Sequence, residues 1–332
     1  MHLFRRVMLA CAVLTGLAVS QGTAAGDPDP GTAWKDGPHF AGKKKVRRSI
    51  SGAACAPVSP PMCIVALDEK TRTQFFTISG RKLKPGPVMA IIDDDGDGDP
   101  DLEAAAYADG FFYLLGSHGL SRKKNAFHPS SFLAFRFPVD RSTGEPGFDI
   151  SADRTAPEIV RSDRLRAVIS SAPGAIGDYA EAPLGKKAGG VNLEGLAVIG
   201  KRMYLGFRGP STGGWAYILS VDVDGLFGDG DLAPAISTLN LGHDTGIRDL
   251  AAVSGGLLIL AGPVQEKGPY AIFRWDLNNP PQKLRELKMP GSGAKAETLL
   301  VLDQSDGGYD VLVLYDGIAD GGPREYRLPV SR

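Results

Sequence analysis

From Ser51 onward, hydrophobic and polar positions recur as one phrase. Five stretches carry it: SGAACAPVSPPMCIVALDE, DLEAAAYADGFFYLLGSHG, NLEGLAVIGKRMYLGFRGP, RDLAAVSGGLLILAGP and AETLLVLDQSDGGYDVLVLYDG. Each opens with small or apolar residues, turns at Gly or Pro, and returns through β-branched or large apolar residues, which is the pattern of a hairpin. Behind most of them comes a third run with alternation, at 73–78, 132–140, 215–223, 270–277 and 326–330. Fourth-strand candidates follow at 88–92, 236–242 and 283–289. Four strands repeated roughly every 50 residues mark a propeller blade.

Four of the phrases keep an acid at a matching place, namely Glu103, Glu194, Asp249 and Glu297, with Gly52 standing there in the first. These positions are 51, 91, 55 and 48 residues apart. The long interval holds EIVRSDRLRAVISSA (158–172), whose composition and spacing predict an inserted helix, with a degenerate sixth blade as the alternative. The last phrase lacks a fourth strand, while KKKVRRSI (43–50) precedes the first with no blade of its own. Its Lys and Arg side chains suit an exposed edge, and pairing it with the last blade closes the ring. The expected fold is therefore all-β, a single β-propeller over 43–332 with five four-stranded blades, six being the alternative. Trp215 and Trp275 fall in third strands and are expected in the core between blades; Trp34 carries no prediction.

The first 25 residues have another character. Arg5 and Arg6 precede the apolar run VMLACAVLTGLAV, and Thr23-Ala24-Ala25 offers small residues for cleavage, so a signal peptide is expected. Export to the periplasm or outside the cell follows from it, by a Sec or twin-arginine route. Residues 26–42 are polar and rich in Gly and Pro, as in a flexible arm. No later apolar run approaches membrane-spanning length. A formal net charge of −1 leaves no nucleic-acid footprint, and 43 glycines with 24 prolines supply the many turns of an all-β chain. The expected state is a monomer. Cys55 and Cys63 flank a proline-rich turn, which sets them on opposite arms of a hairpin, and a disulfide is the expected state in an oxidising compartment.

The set SGAAC, DLEAAAY with YLLGSHG, NLEGLAV with YLGFRGP, and GIRDLAAV with LILAGP resembles an uncharacterised bacterial propeller family, domain-of-unknown-function 3616, which is related to phytase-like or esterase-like propellers. The likeness runs over roughly residues 48–330, and NLEGLA and GSHG are its more specific parts. It implies the propeller fold and no particular reaction.

Candidate chemistry sits in two places. The run Asp93 to Asp101 fits D-x-D-x-D-G-x-x-D, with Asp93, Asp95, Asp97 and Asp101 at ligand positions, Asp99 as a further candidate ligand between them, and Gly98 at the sharp turn. Alternating hard oxygen ligands folded round a glycine suit Ca²⁺ in a structural role; a solvated Asp/Gly turn is the alternative. The second place is the repeated acid. Hairpin arithmetic sets Glu103 at the same end as His118, Glu194 beside Arg208, Asp249 beside Gly262 and Pro263, and Glu297 beside Tyr315 and Asp316. With these strands innermost, Glu103, Glu194, Asp249 and Glu297 form a ring at one mouth of the channel, and His118, Arg208, Arg248 and Asp316 join its rim. Convergent polar groups at such a mouth are a binding-site hypothesis; the same acids could instead satisfy backbone N–H groups or pair with Arg208 and Arg248. His118 is the general-base candidate, with a backbone-bonded histidine as its alternative. His39, His128 and His243 lack ligand spacing for zinc, and no G-x-S-x-G elbow occurs. Two functional classes follow: a module that binds a small molecule or protein in the funnel, or a hydrolase of phosphate esters or other esters using a second divalent cation in the channel.

Overall fold

The computed structural model describes residues 28–35, 37–67, 71–93, 98–121, 126–184, 189–265 and 267–329. The expected signal peptide and two members of the aspartate run, Asp95 and Asp97, lie outside these residues.

Hairpin pairing builds five antiparallel four-stranded sheets. Blade one holds β2 (Ile50–Ala56), β3 (Met62–Leu67), β4 (Arg72–Ile78) and β5 (Leu83–Ala90). Blade two holds β6 (Leu102–Ala108), β7 (Phe111–Gly116), β8 (Ala134–Pro138) and β9 (Val160–Ser162). Blade three holds β10 (Asn192–Ile199), β11 (Arg202–Gly209), β12 (Trp215–Asp222) and β13 (Ala235–Asn240). Blade four holds β14 (Thr245–Val253), β15 (Gly256–Pro263), β16 (Tyr270–Trp275) and β17 (Gln282–Leu287). Blade five holds β18 (Lys295–Ser305), β19 (Gly308–Asp316), β20 (Arg324–Pro329) and, from the N-terminal side, β1 (Thr32–Ala33). The first strand of each blade packs on the first strand of the next, and β18 returns to β2, so the ring closes at five.

The local reasons are plain at β6 and β7. Two residues join them, Asp109 and Gly110, both at positive φ, the geometry of a type I′ turn that matches strand twist. The disulfide joins Cys55 and Cys63, which face each other directly in β2 and β3. There is no single core. Five apolar clusters fill the five seams between blades, as in the set of Phe75, Phe112, Phe135 and Phe137 between blades one and two. Side chains on the two faces of each sheet are thus buried against different neighbours.

Three expectations change. The strand that closes blade five is β1, at 32–33 inside the expected arm, and not 43–50, where Val46–Arg48 forms a 3-10 turn and Ile50 already starts blade one. Three consecutive cations have little to gain in the ladder. Trp34 by contrast is 9% exposed, packs in the seam between blades five and one, and donates from Nε1 to Glu325 Oε2 at 2.8 Å. The stretch 158–172 divides into the missing fourth strand, β9, and a short helix, α1 (Leu165–Ser170), followed by α2 (Ala175–Asp178). Leu165, Ile169 and Ile176 anchor these helices to the seam between blades two and three. Trp275 is buried as expected, but Trp215 is 46% exposed because it opens its strand next to the turn at Gly213-Gly214.

Candidate functional site

Every innermost strand carries a β-bulge near its start. The pairing register skips at Ser51, Glu103, Glu194, Arg248 and Glu297 in blades one to five. A bulge leaves one residue out of the ladder and re-aims its side chain. The equivalent residue in blade four is therefore Arg248, not Asp249, and in blade one Ser51, not Gly52. The position after the bulge faces the following blade: a Cβ on Gly52 would lie 2.7 Å from Ala104 Cα. Asp249 obeys the same geometry. Its Oδ2 accepts from Leu299 N–H of blade five at 2.7 Å, and its Oδ1 from Leu250 N–H at 2.8 Å. It is a link between blades, outside the ring expected for it. Burial pushes its carboxyl well above the ordinary range.

The bulge side chains converge. Arg248 is fully buried and donates from Nη1 to Glu297 Oε1 at 2.8 Å and to Glu194 Oε2 at 3.2 Å. Its Nη2 donates to Pro263 O at 2.6 Å, while the Tyr270 ring centroid lies 5.7 Å from its guanidinium carbon. Glu194 Oε1 also accepts from Arg208 Nη1 and from Asn192 Nδ2, each at 2.7 Å. Arg208 further donates from Nε and Nη2 to Val264 O. Burial works against the charge of Arg208, yet Glu194 beside it holds it above the ordinary guanidinium range. For Glu297, burial first and the charge of Glu194 second push the carboxyl up to about 8, with Arg248 opposing. Arg248 is thus shared by two buried carboxylates, of which Glu194 also has Arg208.

Above this floor opens a cavity of about 540 Å³. Its charged lining comprises Asp99, Asp101, Glu103, Glu194, Glu297 and Asp316, against Arg208 and Lys295. Lys295 donates to Asp316 Oδ2 at 2.7 Å; burial opposes its charge, but Glu297 and Asp316 raise it above the usual ammonium value. Ser121, His128, Ser131 and Leu184 complete the wall on the side of blade two and the inserted helices. The strand starts thus place Glu103, Glu194, Arg208, Arg248, Glu297 and Asp316 together.

His118 does not join them. It is 1% exposed, its Nδ1 lies 2.9 Å from Gly116 O, and its ring packs edge-on to Phe132 at 5.8 Å. Its backbone, at φ +53, turns the chain so that its N–H meets Ser131 O. Burial pushes its imidazole down to about 4. The expectation of a rim base is thereby corrected to a sealed, neutral histidine behind the wall.

In the aspartate run, Asp93 Oδ1 accepts from Thr155 N–H at 2.8 Å, and Asp99 Oδ1 from Asp101 N–H at 3.1 Å. Among the described residues no group of three His, Cys, Asp or Glu side chains has the geometry to hold a metal ion, and no helix is long and apolar enough to cross a membrane. Lys295 escaped the sequence argument although the hairpin arithmetic that placed Glu297 beside Asp316 applies to it too. His128 caps and Ser131 lies within the 3-10 turn Pro129–Phe132, which is too short for periodicity to mark them.

No curated protein matches the sequence. Among solved structures, the chain is similar to an exo-beta-1,3-galactanase from Phanerochaete chrysosporium, at 11% identity and a TM-score of 0.47, covering 91% of this chain and 64% of that one. A GH43 glycoside hydrolase with endo-xylanase and exo-arabinofuranosidase activity gives 12% identity and a TM-score of 0.44, covering 84% and 54%. The Aleuria aurantia lectin gives 9% and 0.36, covering 83% and 78%. The chain thus spans less than two thirds of the length of the two hydrolases. A family model matches residues 153–325, just over half of the chain. The protein belongs to the family described as "Protein of unknown function (DUF3616)".

Proposed function

We propose that the protein is an exported propeller that binds a small polar ligand in the acidic funnel and does not turn it over. The observation that carries this is the cavity of about 540 Å³, in which six carboxylates face two cations. Such a lining is rich in acceptors, so the ligand it suits offers donors: an amine, or several hydroxyl groups. The test is a thermal-shift panel of polyols, amino sugars and diamines. A compound that raises the melting temperature of the native protein, and does so less for Glu103→Gln, supports the funnel as the site. A panel with no shift, or a shift equal in the variant, counts against it.

Calcium and export belong to the same reading. What supports calcium is the spacing of Asp93, Asp95, Asp97, Asp99 and Asp101, with Gly98 at φ +88. Bound calcium would raise the melting temperature by linkage, and Asp95→Ala would erase the rise. What supports export is the apolar leader together with the disulfide; a mature chain beginning at Gly26 in the periplasm or medium is the expected finding.

One observation favours a second reading, hydrolysis of esters or phosphate esters. Glu297, held protonated up to about 8, lies across Arg248 from Glu194. A buried carboxyl that keeps its proton near neutral pH can serve as a general acid. On this reading Glu297→Gln abolishes turnover on an ester and phosphoester panel while the variant stays folded. Absence of any turnover by the native protein, with or without divalent cation, removes it.

A further inference from the structure

A second cavity, of about 440 Å³, lies against blade two and shares no lining residue with the funnel. The 3-10 turn Pro129–Phe132 forms the wall between them. His128 and Ser131 face the funnel, while Phe127, Pro129, Ser130 and Phe132 face the second cavity. Its opposite side is built by Arg161, Ser162, Asp163 and Arg166.

Two features of this lining are unusual together. Phe127 is 42% exposed, leaving apolar ring surface in water at a cavity mouth. Its centroid is 4.7 Å from that of Phe132, and Arg166 lies 4.0 Å over it and 5.2 Å over Phe132. The stack fixes the guanidinium of Arg166, whose nearest carboxylate is Glu181 at 3.6 Å. Beside it, the guanidinium of Arg161 is exposed, and its charge acts through space on the carboxylate of Asp93. A flat apolar wall and an exposed planar cation thus border one cavity. Asp163 is the acid in the lining, Glu181 stands beside Arg166, and Asp93 lies within electrostatic reach of Arg161.

We propose that this cavity binds small aromatic monocarboxylates, with the ligand ring against Phe127 and its carboxylate on the Arg161 guanidinium. The fork of an arginine matches the two oxygens of a carboxylate. A single exposed guanidinium with acids nearby suits a monoanion better than a phosphate dianion. Arg166 stays on its aromatic stack and strengthens the local field. Because Phe127 and His128 are adjacent on one short segment, an occupant here also braces one wall of the funnel.

Phenylacetate is the probe, titrated into the full-length mature protein by calorimetry, with phenylacetamide and acetate as comparators. The expected result is saturable millimolar binding of phenylacetate and weaker binding of both comparators. Arg161→Gln should weaken phenylacetate about tenfold, within the range for one charge-assisted hydrogen bond, and Phe127→Ala should weaken it similarly. Both side chains are exposed, so an unchanged melting temperature in each variant verifies that the fold is retained. Absence of saturable binding in the millimolar range overturns the proposal. So does binding that Phe127→Ala weakens but Arg161→Gln leaves intact, since that describes an apolar pocket without anion recognition.

Discussion

Arg248 Nη1 lies 2.8 Å from Glu297 Oε1, and both side chains are buried at the channel. The same nitrogen reaches Glu194 Oε2 at 3.2 Å, so one cation in blade four ties down carboxylates from blades three and five. Arg248→Met would take from Glu297 its guanidinium partner and from Glu194 one of its two. Breaking a buried pair this way costs about 3–5 kcal/mol, which denaturant unfolding would read. Adding Glu297→Gln should restore part of the loss, because Glu194 still has Arg208 as its partner.

The raised carboxyl of Glu297 gives stability a pH slope. The folded protein keeps this proton up to about 8, whereas an unfolded glutamate loses it near 4.5. Between those values the folded state binds more protons, so stability falls as pH rises through the window and levels above it. Glu194, Arg248, Asp316 and Lys295 all act on this group, and Asp249 is shifted in the same direction. The clean measurement is the difference between native protein and Glu297→Gln, unfolded in urea at several pH values. That difference should shrink toward low pH.

His118 tilts the curve the other way. Its imidazole stays neutral in the fold down to about 4, against 6.5 when free. The unfolded chain therefore takes up the proton first, and stability falls as pH drops from about 6.5 to about 4. His118→Asn tolerates the positive φ and cannot titrate. It should lose stability at neutral pH but show a flatter acid limb.

Closure of the ring depends on the N-terminal segment. Gly31, at φ +63, lies so close to Tyr326 that a Cβ would fall 2.5 Å from the ring. Gly31→Ala should loosen the pairing of β1 with β20, and Trp34→Ala should remove a buried anchor worth about 3–5 kcal/mol. Both variants should show earlier proteolysis in the 28–35 segment than the native protein does.

The disulfide staples the inner hairpin of blade one. A loop closed by residues eight apart restrains the unfolded chain by about 2–3 kcal/mol in the chain-entropy account. Cys55→Ala with Cys63→Ala should lower stability by that order, and a reductant should leave this variant unchanged.

Much of the architecture was legible in the sequence because hairpins are local. The turn at Asp109-Gly110, the facing pair Cys55 and Cys63, and the contact of Glu194 with Arg208 all follow from counting outward from a turn. The fourth strand of blade two was hidden because β9 is three residues long and runs directly into helical spacing. The latch was hidden because two residues, Thr32 and Ala33, carry no pattern of their own; their partner lies at the far end of the chain.

What the chain itself determined is the repeating hairpin, its staple, and a carboxylate near the start of four of the five repeats. Which of these face the axis was decided only in three dimensions. A bulge advances the register by one residue, and in a strand that moves every side chain to the other face. It put Arg248 into the ring and turned Asp249 toward blade five. The side a bulge favours depends on the seam with a neighbouring blade some fifty residues away, and no local pattern carries that information.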